Sequence, residues 1–470
     1  MLPVMVYPMN FSDSALVSRI ERTVCHQRLF RPGDTLVVAF SGGADSSALL
    51  DILSRLPGYN LNLIAAHLNH RLRGVESDTD EDFCREVASR YKIPFETQRI
   101  DIKGMASDLR LNLEDAGRRA RIEFLDEINR KYQGAAVVLA HHADDQAETV
   151  LMRLLRGSGM TGLSGMTHRN ARGYVRPLLD ISRSEIEQYL HRRGLKWRED
   201  ASNSDTVYLR NRIRHQLLPL LEEYNPAIRS CLAATASVLG GDEVLLREMT
   251  EQVYSELFRM ERGSCVCSVA QLGLLNPALQ RRVLRLAFKQ LAESLEGVSQ
   301  RHVDAIGDLL ASARPNSRLV LPCSVTAVRE YDRFALTYAN ADMVKNDEEL
   351  QITKPGCYQL PQGGCLTVAL SGITALPTDP DSVCFDLGKT PLPWMVRTFR
   401  PGDRIIPFGM SGRKKVKDIY IDRKIPLSDR SRLPLLFCGE NLIWIAGVCT
   451  SELSRIVTPA VVPVQVTWHA

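Results

Sequence analysis

The sequence predicts a doubly wound α/β domain, followed by a mainly helical segment and a small, mostly β domain. Three observations carry that prediction. Over residues 1 to 155, apolar runs alternate with helically spaced segments, the pattern of a parallel sheet covered on both faces. From 216 to about 312, apolar residues recur at i, i+3 and i+4, as on helices with one buried face. From about 355 onward, short apolar runs lie between Gly, Pro and Asp turns, the sign of a compact β domain. A chain of 470 residues is too long for one core, so two or three domains are expected.

The elements follow in order. TLVVAF (Thr35–Phe40) reads as the first strand and Ser46–Ser54 as the helix after it. NLIAAHLN (Asn62–Asn69) is the second strand, and Asp78–Tyr91 carries helical spacing. Phe95–Ile102 is the third strand and Leu113–Tyr132 a long helix; Ala135–Ala140 is the fourth strand and Asp144–Leu155 its helix. In such sheets ligands sit at the carboxyl ends of the strands, where strand order reverses. Residues 157 to 215 are Gly- and Arg-rich, with RPLLDISRSEIEQYLHRRGL reading as a loop and then a helix. The stretches LLPLLEEY, IRSCLAATASVL, DEVLLREMTEQVYSEL and PALQRRVLRLAFKQL are helical by spacing, 318–338 is strand-rich, and ADMVKNDEELQITKPG reads as a linker. The expected division is a nucleotide domain over 1–215, a mainly helical domain over 216–345 and a β-rich domain over 346–470.

Composition excludes several classes. With 44% hydrophobic and 24% charged residues the chain is ordinary globular protein. No apolar run approaches the ~20 residues that span a bilayer, and the N-terminus lacks the pattern of a signal peptide, so no membrane partner and a cytoplasmic location are expected. Eleven cysteines are scattered without any CxxC, which reads as reduced, mostly buried thiols rather than a zinc or iron–sulfur site. The net charge of +4 is unevenly spread: residues 397 to 432 hold eleven Lys/Arg against four Asp, a local +7 that leaves the rest at −3. Such a stretch suits a polyanion such as nucleic acid, or simply a solvated basic face.

The chemistry is concentrated at the end of the first strand. Ser41-Gly42-Gly43-Ala44-Asp45-Ser46 joins a buried strand to a helix start, a geometry that binds phosphate through free backbone N–H groups and the helix dipole. A Walker A loop would end in Gly-Lys-Ser/Thr; here Asp45-Ser46-Ser47 stands instead. A carboxylate beside a triphosphate needs a cation between them, most simply Mg²⁺. The alternative is a plain Gly-Gly turn capped by Asp45.

SGGADS after an apolar strand resembles the pyrophosphate (PP) loop of the N-type ATP pyrophosphatases, which cleave ATP between the α and β phosphates and adenylate an oxygen. Four further segments narrow the likeness: HLNHRLRG (67–74), EDAGRRARIEFL (114–125), AHHADDQAET (140–149) and DASNSDTVYLRNRIRHQLLP (200–219). Together with TFRPGDRIIPFGMSGRKKVKDIYIDRKIPLSDR (398–430), they resemble the signature set of the bacterial tRNA(Ile)-lysidine synthetase family. That resemblance implies a PP-loop catalytic domain and a ligase joining L-lysine to carbon 2 of the wobble cytidine of the CAU-anticodon isoleucine tRNA. It further implies ATP and Mg²⁺ as cofactors, release of AMP and pyrophosphate, and a homodimer.

Individual residues carry both functional and bland readings. Asp145 and Glu148 lie three apart at a helix start and share a face; a lysine ammonium or Mg²⁺ would neutralise them, although acidic residues also favour helix N-termini for dipole reasons. The resemblance places Asp145 and Glu148 near lysine and makes Asp45 and Asp145 the metal candidates. Arg118 and Arg121 share a face suited to phosphate oxygens, and the family favours Arg121, with Asp45 and Asp145, as catalytic. His67, Asn69 and His70 lack further nearby metal ligands and are expected to position ATP or RNA. Arg210, Arg212 and Arg214, with Asn203 and Asn211, suit RNA phosphates or inter-domain salt bridges. Arg413, Lys414, Lys415 and Lys417 follow two glycines, as in a flexible basic loop touching tRNA. Phe399, Phe408 and Tyr420 are candidates for base stacking or for the small domain's core. A tRNA thiolase on the same scaffold would need paired or persulfide cysteines, yet the nucleotide domain offers only Cys25 and Cys84. A non-catalytic RNA-binding protein is the other rival.

Overall fold

The computed structural model describes residues 11–72, 74–198, 209–312, 314, 316–338, 348–370, 379, 381–454, 456 and 462–469. The chain forms two compact units, Met1–Leu245 and Leu246–Ala470.

The first unit opens with α1 (Phe11–His26), which the strand-and-helix reading of the sequence passes over. Its Leu16, Val17, Ile20 and Val24 form a buried stripe at helical spacing. Then come β1 (Thr35–Ala39), α2 (Ala44–Ser54), β2 (Asn62–Asn69), α3 (Val75–Arg90), β3 (Phe95–Arg99), α4 (Ile102–Leu109), α5 (Leu113–Lys131), β4 (Ala136–Val138), α6 (Ala143–Leu155), a single turn α7 (Met160–Leu163) and α8 (Arg183–Arg193). The third strand ends three residues earlier than its apolar pattern suggests. Asp101 caps α4 by accepting from the backbone N–H groups of Lys103 and Gly104, so Ile102 belongs to a helix.

The four strands are parallel in the order β3-β2-β1-β4. Side chains alternate between two cores, as the period of two requires. Leu36, Val38, Leu63, Ala65, Ala136 and Val138 face α1, α2, α3 and α8. Val37, Ile64, Ala66 and Val137 face Phe124, Leu125 and Ile128 of α5. The chain winds outward from β1 to β3, then crosses to β4 on the opposite side of β1. That reversal is the doubly wound switch point, and it lies between the carboxyl ends of β1 and β4.

Beyond α8 come α9 (Leu209–Arg212), a π turn (Ile213–Leu217), α10 (Leu218–Tyr224) and the long α11 (Ile228–Leu257). The second unit continues with a hairpin, β5 (Arg259–Glu261) and β6 (Ser264–Ser268), then α12 (Val269–Gly273), α13 (Pro277–Ala292), α14 (Gln300–Ala311), β7 (Asn316–Val320), β8 (Val325–Glu330) and β9 (Arg333–Tyr338). The expected mainly helical stretch therefore carries a five-stranded antiparallel sheet, order β5-β6-β9-β8-β7. Cys265 and Cys267 of β6 help fill its core against α13 and α14, which accounts for the Cys-Val-Cys spacing without a metal.

The C-terminal part is β-rich, as expected: β10 (Leu350–Ile352), β11 (Gly356–Gln359), β12 (Cys365–Leu370), β13 (Ser382–Asp386), β14 (Trp394–Arg397), β15 (Arg404–Ile405), β16 (Lys414–Lys415), α15 (Val416–Asp422), α16 (Leu427–Arg430), β17 (Leu435–Cys438), β18 (Asn441–Ile445), β19 (Cys449–Thr450) and β20 (Pro463–His469). Two antiparallel sheets, β10-β14-β17-β18-β19 and β11-β12-β20-β13, share a core around Trp394, Phe385, Leu366, Val466 and Trp444. The pair β15-β16 forms a separate two-stranded ribbon.

One buried charge locks α2 in place. Asp51 is wholly buried and accepts from Tyr91 Oη at 2.6 Å, Arg55 Nε at 2.9 Å, Arg193 Nε at 3.2 Å and Tyr189 Oη. Burial works against its ionisation, but Tyr189, Tyr91, Arg193 and Arg55 outweigh that and hold the carboxyl below its ordinary value of 3.8. A depressed folded-state value stabilises above the ordinary value and is lost as pH falls through the folded one. Asp51→Asn strands the buried Arg193, so urea unfolding should show a loss of about 3–5 kcal/mol at neutral pH, smaller at pH 3. A variant within 0.5 kcal/mol of wild type at neutral pH would contradict this.

Candidate active site

β1 ends in the SGGADS loop and β4 ends in His141-His142, so the sheet places both at the switch point. The Gly43 N–H donates to Ser41 Oγ at 3.4 Å, but the helix start itself carries no side-chain cap. Gly43 is the N-cap of α2, which leaves first-turn N–H groups facing outward with the positive end of the helix dipole. Gly42 has φ +78°, and a Cβ there would meet Cys84 Sγ at 2.9 Å and the Phe83 ring at 3.1 Å. The loop therefore needs glycine at 42. Ser46 Oγ donates to the Gly43 carbonyl at 3.1 Å and lies 3.2 Å from Ser41 Oγ, while Ser47 Oγ donates to the Gly42 carbonyl at 3.4 Å. The Arg198 N–H donates to the same Gly42 carbonyl at 2.9 Å. Cys84, beneath the loop, is buried and its thiol is pushed up by burial, the opposite of a sulfur-transfer cysteine.

His67 lies behind the loop and holds its root. Its Nδ1 is 3.0 Å from the Phe40 carbonyl and its ring stacks on Phe95. Buried Asn69 instead ties down the start of α3, donating to the Ser77 carbonyl, Asp78 and Glu81. Neither His67 nor Asn69 is turned toward an open site.

The second wall is the start of α6. The Asp144 N–H donates to His142 Nδ1 at 3.2 Å, and the His142 N–H donates to Asp145 Oδ2 at 3.1 Å, a reciprocal cap. Because Nδ1 accepts, the ring proton sits on Nε2. That atom lies 3.7 Å from Asp45 Oδ2 and 3.4 Å from Asp145 Oδ2. His142 thus stands between the carboxylates of the two loops. Asp45 also accepts from Arg183 Nη1, 2.6 Å from each oxygen. Its carboxyl is raised from the ordinary value: burial dominates, and Asp145 adds to it against the pull of His142 and Arg183. Asp145 is shifted the other way, since His142, Arg210 and His141 outweigh its burial.

Asp145 and Glu148 share a face, as their spacing predicts, and both are buried. Two guanidiniums neutralise them. Arg210 donates from Nε to Glu148 Oε2 and from Nη2 to Asp145 Oδ1, both at 2.7 Å. Arg214 donates from Nε to Glu148 Oε1 at 2.5 Å and from Nη2 to Asp145 Oδ1 at 3.2 Å. The expected basic run 210–214 therefore divides. Arg210 and Arg214 point inward to these carboxylates, and Arg212 remains exposed. The π turn after α9 lies in this segment, and such turns recur at functional sites. Asn203 lies outside the described residues.

Arg118 and Arg121 remain exposed on α5, and no ion-pair partner reaches them among the described residues. Loss of water around its guanidinium, and the charges of Arg210 and Arg118, lower the Arg121 pKa, so cations crowd this wall. Arg176 joins them, because Val175 pairs with Val137 and Leu139 at the free edge of β4. Arg176 Nε donates to His141 Nδ1 at 3.2 Å. Burial, with Arg176, Arg210 and Arg121 around it, pushes the His141 imidazole down to about 4, so it is a neutral Nε2–H donor at physiological pH. Arg176, Arg183 and the two histidines were not singled out as site residues by sequence. The His-His dipeptide within AHHADDQAET was the available signal; nothing marked either arginine.

In the second unit, the 413–417 segment is not a flexible loop: Lys414 and Lys415 form β16, paired with Ile405 and Arg404. Lys414 is ion-paired with Asp422, whereas Arg413, Lys415 and Lys417 are exposed. Tyr420 is wholly buried and packs edge-on against Phe399, so both belong to the core. Phe408 is 56% exposed.

Comparison with known proteins agrees with this geometry. Residues 15–221 match the PP-loop domain, 268–334 the TilS substrate binding domain and 394–459 the TilS substrate C-terminal domain. The tRNA(Ile)-lysidine synthase of Geobacter sulfurreducens is 46% identical over 448 residues, which cover 94% of each chain. That of Symbiobacterium thermophilum is 36% identical over 94% of this chain and 95% of its own, and that of Bacillus subtilis 34% over 91% and 92%. Likeness at that level, over nearly the whole of both chains, means that this protein belongs to the tRNA(Ile)-lysidine synthase family.

Proposed function

We propose that this chain ligates L-lysine to carbon 2 of the wobble cytidine of the CAU-anticodon isoleucine tRNA, at the expense of ATP. The observation that carries the reading is the meeting, at one switch point, of an uncapped diglycine loop, two loop carboxylates and arginines without ion-pair partners among the described residues. The triphosphate lies on the amides of residues 41–46. The C2 carbonyl oxygen of cytosine attacks the α-phosphorus, the bond to the β-phosphate oxygen breaks, and pyrophosphate leaves. The ε-amine of lysine then attacks C2, AMP departs with the former carbonyl oxygen, and the amine sheds a proton. Arg121, with Arg118 beside it, is placed to meet negative charge growing on the α-phosphate oxygens. Neutral His141, held as an Nε2–H donor, is suited to the same task.

A magnesium ion would be held by Asp45 and Asp145, an oxygen of each lying within 3.7 Å of His142 Nε2. No group of three or more acidic, His or Cys side chains is arranged to hold a metal among the described residues. That suits an ion completed by phosphate oxygens and water, and its contribution would be to neutralise triphosphate charge. Lysine's ammonium is assigned to Asp145 and Glu148. Exchanging it for the Arg210 guanidinium leaves the charge balance of these buried carboxylates unchanged. Residues 1–215 form the catalytic domain in this reading, 216–345 a tRNA-recognition domain and 346–470 a tRNA-binding domain, with Arg413, Lys415 and Lys417 facing phosphates. Arg212 is assigned to tRNA as well, whereas Arg210 and Arg214 act first on the carboxylates.

Incubating the protein with labelled ATP, total tRNA and single amino acids tests the function. AMP release should require both tRNA and lysine; release with sulfur donors instead, or none at all, would contradict it. Asp45→Ala should cut pyrophosphate release by about 10³-fold while tRNA binding stays within twofold; wild-type turnover would remove Asp45 from the chemistry. Gly42→Ala, which sets a methyl group against Cys84 and Phe83, should weaken binding of an ATP analogue at least tenfold by calorimetry, with an unchanged affinity counting against the loop assignment.

A further inference from the structure

Between β15 and β16 the chain makes an eight-residue excursion, 406 to 413, whose tip exposes two large apolar side chains, Phe408 at 56% and Met410 at 54%. Exposed hydrophobes on a loop are ordinarily mobile, but this loop is anchored. The Phe408 N–H donates to the Thr450 carbonyl at 3.0 Å, the Glu452 N–H to the Ile406 carbonyl at 2.8 Å, and the Met410 N–H to the Pro407 carbonyl at 2.9 Å. The Gly409 N–H donates to Glu452 Oε2 at 2.7 Å, and Gly409 has φ +79°, a conformation suited to glycine. The backbone thus holds Phe408 and Met410 outward.

The ribbon beneath carries an electrostatic oddity. Arg404 on β15 lies directly opposite Lys415 on β16, and like charges so placed repel. Both are exposed, as are Arg413 and Lys417, and none of the four has an ion-pair partner among the described residues. The neighbouring Lys414 does have one, in Asp422, so a carboxylate was available to this ribbon and serves a different cation. A facing pair of unneutralised cations beside a rigid aromatic knob fits an anion next to a planar apolar surface, which is the chemistry of a nucleotide in RNA.

Building on the tRNA reading above, we infer that this ribbon is a two-part nucleotide reader: Arg404 and Lys415 straddle one backbone phosphate, and Phe408, flanked by Met410, stacks on a base. The phosphate half is sequence-independent and sensitive to salt, whereas the stacking half is insensitive to salt. The knob would cover an unpaired base or the end of a helical stem, because a base within a continuous stack presents no face to it.

Binding of the full chain to the isoleucine tRNA, measured against salt concentration for three variants, separates the two halves. Phe408→Ala should weaken binding roughly tenfold at every salt concentration, with an unchanged slope of log affinity against log salt. Arg404→Gln with Lys415→Gln, which releases the one shared phosphate, should lower that slope by about one. Phe408→Trp should retain affinity and add a fluorescence change on tRNA binding that wild type lacks. Full affinity in Phe408→Ala, or no added signal in Phe408→Trp, would overturn the stacking assignment while leaving the tRNA reading intact. An unchanged salt slope in the double variant would overturn the phosphate assignment, and no binding of tRNA by wild type would overturn the functional reading itself. A change in oligomeric state with Phe408→Ala, without loss of tRNA affinity, would assign the knob to a protein contact and also refute the inference.

Discussion

The parallel pairing of β1 with β4, Leu36 beside Ala136 through Val38 beside Val138, is the constraint on which the rest depends. Three hydrophobic residues on each strand set that register, and it is buried on both faces. Because the chain approaches these strands from opposite directions around the sheet, the loops leaving them open into one crevice. Everything chemical in the first unit hangs on those loops: the amides of 42–46 on one side, and the His142 cap with Asp145 on the other. His142 stands between them: its Nδ1 accepts from the Asp144 N–H, and its Nε2, which carries the remaining proton, lies 3.4 Å from Asp145 and 3.7 Å from Asp45. A displacement of either strand by one residue would turn that proton away and invert the two cores.

The charge arrangement around this crevice is divided. On one side, half-buried Asp45 is matched by the guanidinium of Arg183, and buried Asp145 and Glu148 by those of Arg210 and Arg214. On the other, Arg118 and Arg121 stand without ion-pair partners among the described residues, and Arg176 serves an imidazole and a backbone carbonyl. A protein that balanced its charges internally would have no use for the second group. An enzyme that must receive a triphosphate and an RNA backbone needs an excess of cations where those anions arrive, and buried acids where an ammonium is to be accepted. The second unit repeats the pattern on its surface ribbon, where one lysine is neutralised and four neighbouring cations have no ion-pair partner among the described residues.

Much of this was legible in the sequence, and the parts that were not share a cause. Strands with continuous apolar runs were read closely, NLIAAHLN to the residue, because burial on both faces leaves no competing pattern. The hairpin at 259–268 escaped because its strands are short and lie between strong helical signals. The diglycine loop announced itself, since its glycines answer a local backbone need. The partners of Asp145 and Glu148 did not: Arg210 and Arg214 are more than sixty residues away, and only the fold brings them in. The same holds for Phe399, Phe408 and Tyr420, which look alike in sequence and are sorted into core and surface by packing alone.

The claim most in need of a direct test is that the loops after β1 and β4 act as one nucleotide site. Amide hydrogen exchange, measured with and without a non-hydrolysable ATP analogue and magnesium, addresses it without altering a residue. Residues 42–46 and 142–145 should be protected together on nucleotide binding, with the helix interiors of α3 and α5 little changed. Protection of one loop without the other, or of neither while the analogue binds, would contradict it.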